Sequence, residues 1–280
     1  MIDLHTHTTV SDGTLTPEAL VRRAREKNLS AIAITDHDIV DGVAKAVQVG
    51  QDIGVRVIPG VEISADSRAG AMHVLGYFID HQDVALREAL RELRTYREER
   101  NPKIVAKLNR LGMEMTYEEV KAKAGYGSVG RPHFAQVMIE KGYVESTQEA
   151  FDKYLKAGAL AYVDKKRLTP ADAIQLIHTA GGLAVMAHPI RLKLADADDL
   201  QNLVWESVEH GLDGLEVYYS DHSPELTHQL LDLARRCDLL IFGGSDFHGQ
   251  NKPHIDLGVG RGNLNIPDSL LSAIEQRLGR

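Results

Sequence analysis

The chain opens with "IDLHTHTTVSDG", in which His5 and His7 stand two apart and Asp12 follows five residues later. The same side-chain types recur near the ends of later apolar runs: His37 in "TDHD", Glu62 in "GVEIS", His73 in "MHVLG", His188 in "AHP", and Asp246 with His248 in "GSDFH". Imidazole nitrogen and carboxylate oxygen together suit Zn, Mn or Fe, and without thiolates nothing enforces a tetrahedral zinc site. On a strand, residues i and i+2 project to one face, so His5 with His7, and Asp246 with His248, each aim two donors at a common point. One His-x-His alone is a short and common pattern. The weight comes from six histidines and three carboxylates, all at or near strand ends. By contrast His81, His178, His210, His228 and His254 read as packed or surface residues.

The elements that must position these groups alternate between strand and helix. Met1 to Thr6, "AIAITDHD" (Ala31 to Asp38), "VRVIPGVEIS" (Val55 to Ser64) and "AMHVLGYFI" (Ala71 to Ile79) are strand-like, and Thr16-Pro17 marks a helix start over Glu18 to Lys27. From about Asp83 to Ala159 the chain is rich in Arg, Lys and Glu at helical spacing, with no buried-type strand. Alternation resumes with "LTPADAIQLIHTAGG", "LAVMAHP", "GLEVYYS" and "LLIFGGSDFH". The expected organisation is a β/α scaffold over residues 1–80 and 160–280, interrupted by a mostly helical insertion over 81–159. Periodicity alone fits either an open doubly wound sheet or a barrel. In both, ligands collect at the carboxyl ends of parallel strands.

Composition narrows the function classes. A length of 280 residues, 43% hydrophobic and 26% charged, can bury a sizeable core. A net charge of −8 argues against binding along duplex DNA, which needs clustered Lys and Arg, but not against a small anionic substrate met by bound cations. No run approaches the roughly eighteen uncharged apolar residues of a membrane span, and the first residues do not resemble a secretory signal. The single cysteine, Cys237, excludes an intrachain disulfide and a cysteine-based zinc site, and suits a reducing cytoplasm.

Taken in order, "DLHTHTTVSDG", "AITDHD", "GVEIS", "AHP" and "GSDFH" resemble the successive motifs of the PHP (polymerase and histidinol phosphatase) superfamily. "GRPHF" (Gly130 to Phe134) and "EVYYSDH" (Glu216 to His222) resemble its small stand-alone enzymes, which include nucleoside 3′,5′-bisphosphate phosphatases and 5′-to-3′ exoribonucleases. The resemblance implies an α/β fold, a distorted (β/α)7 barrel, holding two or three divalent metals, with manganese expected first and zinc or iron as alternatives. It implies one metal on His5, His7, Glu62 and Asp246, a second on Glu62, His73 and His188, and a third on Asp12, His37 and His248. No ligand position is substituted, so catalytic competence is expected.

The expected reaction is release of phosphate from a small nucleotide such as a nucleoside 3′,5′-bisphosphate, by in-line attack of a metal-bridging hydroxide, with Glu62 and Asp246 at the catalytic metals. Phosphodiester cleavage at the 5′ end of short RNA is the close alternative, and histidinol phosphate hydrolysis a third. The non-enzymatic alternative is an accessory module like the PHP domains attached to DNA polymerases. Arg131 and His133, in an insertion able to overhang a barrel mouth, and Arg191, just past "AHP", are candidate phosphate ligands, since planar guanidinium suits bidentate phosphate binding. Lys193 is a weaker one. His222 is a candidate proton donor to the leaving oxygen or a phosphate ligand. Of Tyr218 and Tyr219, at least one is expected to pack rather than stack on a base.

Overall fold

The computed structural model describes residues 1–124, 129–164 and 168–279, with backbone alone at position 97. Two compact units are present, Met1–Leu90 with Arg167–Arg280, and Arg91–Lys166.

The first unit is a seven-stranded sheet in sequence order: β1 Ile2–Asp3, β2 Ala31–Ile34, β3 Arg56–Ser67, β4 Gly70–Tyr77, β5 Leu183–Met186, β6 Gly214–Tyr219 and β7 Leu240–Gly244. It curls until its edges meet. The Leu4 amide donates to the Gly243 carbonyl at 3.1 Å and the Asp246 amide to the His5 carbonyl at 2.9 Å. Gly244 permits this approach, because a Cβ there would lie 2.3 Å from the Cβ of His5. The result is a nearly closed β/α barrel.

Helices cover the strands. Among them α1 (Pro17–Glu26) and α2 (Val43–Ile53) follow β1 and β2. The boundary of α1 follows from local chemistry: Thr16 is extended, its side chain accepts from the Ala19 amide, and Pro17 opens the helix. Thr169-Pro170 and Ser223-Pro224 repeat the device at two later helices, Pro170–Thr179 and Pro224–Arg236. Because both faces of the inner strands are covered, β2 reads as the unbroken buried run "AIAI".

Two strand pairs depart from parallel order. β3 pairs antiparallel with β4, and β4 antiparallel with β5, while the other pairs are parallel. The start of β4 therefore lies at the end of the barrel where the parallel strands finish. That is why His73, early in β4 and opposite Ser64, reaches the same place as ligand types from strand ends.

In the second unit the described residues form helices and no strand. Ile104, Leu108, Val120, Phe134, Met138 and Leu155 pack into an apolar core of its own.

Candidate metal centre

At the carboxyl end of the barrel nine side chains of metal-ligating type converge. Their donor atoms form four overlapping sets: His7, Asp12, His37 and His248; His5, His7 and Asp246; His5, Glu62 and His188; and His37, Glu62 and His73. Within each set the donor atoms lie within 4.8 Å of one another. All nine residues singled out in the sequence are in these sets. His178 is elsewhere, paired to Asp213 at 2.8 Å.

Glu62 is the hub, fully buried, with each oxygen facing different imidazoles. Its Oε1 lies 2.6 Å from His73 Nδ1 and 2.8 Å from His188 Nε2. Its Oε2 lies 3.2 Å from both His5 Nε2 and His7 Nε2 and 3.1 Å from His37 Nδ1. Asp246 divides its oxygens in the same manner. Oδ1 faces His7 Nε2 at 3.4 Å and His248 Nδ1 at 3.3 Å. Oδ2 accepts from Tyr219 at 2.8 Å, Lys252 at 2.6 Å and Arg191 at 3.1 Å.

The electrostatics ask for cations. Burial opposes ionisation of the Asp12, Glu62 and Asp246 carboxyls, yet surrounding imidazoles, and for Asp246 also Lys252, hold all three well below the usual carboxylate range. Burial likewise disfavours charge on His7, but Asp246 and Glu62 outweigh it and lift its pKa to about 9. His188 is pushed down to about 4, chiefly by burial, so its imidazole stands neutral and ready to ligate. Both ring nitrogens of His7 are buried and neither makes a well-aligned hydrogen bond, although Nε2 faces Glu62 at 3.2 Å and Asp246 at 3.4 Å. A buried polar group normally has one, so an imidazole of this kind amid three carboxylates fits a metal ligand.

Tautomers are fixed from behind. His5 Nδ1 donates to Glu216 Oε1 at 2.7 Å and His248 Nδ1 to the Asp246 carbonyl at 2.8 Å, so each presents Nε2 to the centre. Glu216 also accepts from the His188 amide at 2.7 Å. Sequence reasoning passed over Glu216; the available signal was a single acid inside the apolar strand "GLEVYY".

Three further buried carboxylates, also missed, tie neighbouring loops together. Asp36 accepts from the Thr8 amide and hydroxyl and from the Ser11 hydroxyl, and so fixes the loop between His7 and Asp12. Asp38 accepts from the Ser64 amide and hydroxyl beside Glu62. Asp3 accepts from the Ser245 amide and hydroxyl and from the Gly258 amide, next to Asp246. Two of the nine side chains stand on strained backbone: His188, whose amide Glu216 holds, and Asp246, next to the Ser245 that Asp3 holds, have positive φ, 26° and 59°. Such conformations cost about 1–3 kcal/mol each and persist where the surroundings over-determine them.

The candidate substrate residues fall in different places. Arg191 reaches Asp246 Oδ2 and lies over the Tyr219 ring at 5.5 Å. His222 is buried; its Nδ1 donates to the Val217 carbonyl at 2.9 Å, which leaves Nε2 buried without a partner. Burial lowers the His222 pKa, so at neutral pH its Nε2 carries a lone pair and must gain a proton before it can act as an acid. Tyr219 is buried with its hydroxyl on Asp246, and Tyr218 packs against the barrel core. Arg131 and His133 are engaged within the second unit. Arg131 donates to the Leu155 carbonyl at 3.0 Å, and His133 Nδ1 accepts from the Gly130 amide at 2.9 Å, closing a helix start.

Comparison with known proteins agrees with this geometry. The model of the family described as "PHP domain" matches residues 3–231. The 5′-3′ exoribonuclease Rnm of Escherichia coli strain K12 is 40% identical over 258 residues, covering 91% of this chain and 87% of that protein. The 3′,5′-nucleoside bisphosphate phosphatase of Chromobacterium violaceum is 32% identical over 258 residues, covering 92% and 90%. A crystal structure from Bifidobacterium adolescentis, provisionally assigned as a metal-dependent phosphoesterase, superposes with a TM-score of 0.85 at 32% identity and covers 100% of this chain and 98% of its own. A barrel that gathers nine side chains of metal-ligating type, matched by these relatives over nearly its whole length, places the chain in the PHP domain family.

Proposed function

We propose that this metal-dependent phosphoester hydrolase releases phosphate from small nucleotides carrying a terminal phosphate, nucleoside 3′,5′-bisphosphates among them. The observation that carries the reading is the split of Glu62, whose two oxygens face separate histidine groups and so could each serve a different cation. His5, His7, Glu62 and Asp246 would hold one ion, Glu62 with His73 and His188 a second, and Asp12, His37 and His248 a third. Manganese, zinc and iron all suit such donors, with manganese first. Divalent ions, when bound, supply an activated water and neutralise phosphoryl oxygens.

The protein's own groups do the rest. Glu216 and the Asp246 carbonyl hold His5 and His248 in one tautomer, so no reorientation accompanies substrate entry. Arg191 offers guanidinium donors at the rim of the centre. His222, with its Nε2 uncommitted, is suited to exchange a proton with the leaving oxygen once protonated. The partner is a small phosphorylated nucleotide or a short RNA end.

Exonucleolytic cleavage at a 5′ end is the second reading, favoured by the 40% identity to the E. coli exoribonuclease. One experiment separates them. Purified protein with added Mn²⁺ is given adenosine 3′,5′-bisphosphate, histidinol phosphate and a short 5′-phosphorylated oligoribonucleotide, and products are identified. Inorganic phosphate from the bisphosphate as the fastest reaction is the expected result. Mononucleotides released faster from the oligomer would install the exoribonuclease reading, and no turnover with metal bound would end both.

A further inference from the structure

Lys252 belongs to a polar loop, "HGQNKPH", that shows no pattern of its own. The fold nevertheless places it against the centre. The loop is fastened to the loop bearing Asp12 by two bonds, from Asn251 Nδ2 to the Asp12 carbonyl at 2.7 Å and from the Gln250 amide to Thr14 Oγ1 at 2.9 Å. The approach is close enough that a Cβ at Gly249 would fall 2.0 Å from Thr14 Oγ1, and Gly249 takes a φ of +63°. Lys252 Nζ thus arrives 2.6 Å from Asp246 Oδ2, the oxygen that Arg191 Nη2 also reaches, at 3.1 Å.

Three donors, counting Tyr219, meet one carboxylate oxygen. Neither cation spends its capacity there, since an ammonium has three N–H groups and a guanidinium five. Both stay open to solvent, the Lys252 side chain at 23% and the Arg191 side chain at 45% exposure. The cations outnumber the acids they pair with. Among the described residues Arg191, Lys252 and Arg261 form ion pairs with two acids, Asp246 and Asp221, with Arg261 held to Asp221 at 2.8 Å and Arg191 3.8 Å from it, while Glu62 acts on Arg191 from further off. An oxyanion is the ligand that such an excess selects, and a point charge beside a planar fork grips two oxygens of a phosphoryl group.

We propose that Lys252 pairs with Arg191 as a clamp on the phosphoryl group of the substrate, held on the β7 side of the metal centre. The proposal rests on the phosphoester reading given above. The clamp engages a phosphate monoester, a terminal phosphodiester or free phosphate alike, because it touches only phosphoryl oxygens.

The test compares wild type with Lys252→Met and Lys252→Arg. Three quantities are read at saturating Mn²⁺: kcat/KM for adenosine 3′,5′-bisphosphate, calorimetric affinity for inorganic phosphate, and bound metal by elemental analysis. Loss of one charged hydrogen bond should cut kcat/KM and phosphate affinity about 10- to 100-fold in Lys252→Met, with metal content unchanged and most of the loss recovered in Lys252→Arg. Values within twofold of wild type would overturn the clamp. So would a fall in bound metal that accounts for the lost activity, since Lys252 would then serve Asp246 alone. If wild type hydrolyses none of the phosphoesters, the proposed function fails instead, while the phosphate affinities of wild type and variant still decide the clamp.

Discussion

The floor and the mouth of the barrel are built by the same strands, on the same inner face, a few residues apart. Along β7 Phe242 lies in the apolar core and Gly244 ends the strand, and two residues on Asp246 joins the cluster of metal-ligating side chains. On β3 the series is Ile58, Gly60, Glu62, and on antiparallel β4 it runs backwards as Tyr77, Leu75, His73. Tyr77 marks the transition, stacked on Phe242 at 4.6 Å with its hydroxyl donating to the Leu4 carbonyl at 2.8 Å. Below it burial is favourable by itself, through apolar area removed from water. Above it burial is unfavourable for every group, and each is retained by a partner of opposite charge or a hydrogen bond. The floor supplies stability, and the mouth uses part of it to hold charges and strained backbones in place.

This division predicts mutations that separate the two properties. Glu62→Ala removes the shared carboxylate and should lower phosphoester turnover by more than about a thousandfold, with bound metal lost by elemental analysis. Retained metal in that variant would mean that Glu62 is no bridge. Phe242→Ala should do the reverse, costing about 3–5 kcal/mol in chemical denaturation while the refolded protein keeps its metal stoichiometry. A floor variant that loses metal at full stability would erase the distinction drawn here.

Smaller effects probe how the mouth is held. Glu216→Gln keeps the shape but weakens the group behind His5 and His188, so metal affinity should drop about 10- to 100-fold in a competition titration without change of fold by circular dichroism. Unchanged affinity would demote Glu216 to packing. The smallest effect is in pH. His7 holds its proton up to about 9 in the absence of a cation, so metal uptake below that pH must displace it. Affinity should therefore rise with pH by about tenfold per unit for each proton released, and level off above the His7 pKa. Calorimetry in buffers of different ionisation enthalpy measures the released protons, and identical heats in all of them would refute the coupling.

Much of the scaffold was legible in the sequence. The seven strand runs and the Thr-Pro helix starts depend on local chemistry, which short stretches carry by themselves. The metal-ligating types were legible too, because histidine and aspartate at the ends of apolar strands conflict with burial unless something charged joins them. What escaped was set by distant partners. Glu216 looked like one acid in a strand until His5, 211 residues away, met it. Asp3, Asp36 and Asp38 looked like strand-end polar residues, and only neighbouring loops make them anchors. Lys252 had no periodic or motif signal at all.

The sequence by itself determined the elements and the donor chemistry, since propensity, capping and hydrophobic period act over a few residues. Tertiary structure decided the direction of β4, and with it how His73 reaches the centre, because strand pairing depends on which edges remain free. It also decided the geometry at His188. One residue past the inward-facing Ala187, regular alternation would point His188 outward, and only its left-handed backbone, held by Glu216, turns the ring to Glu62. No local preference selects that conformation; the contacts around it do.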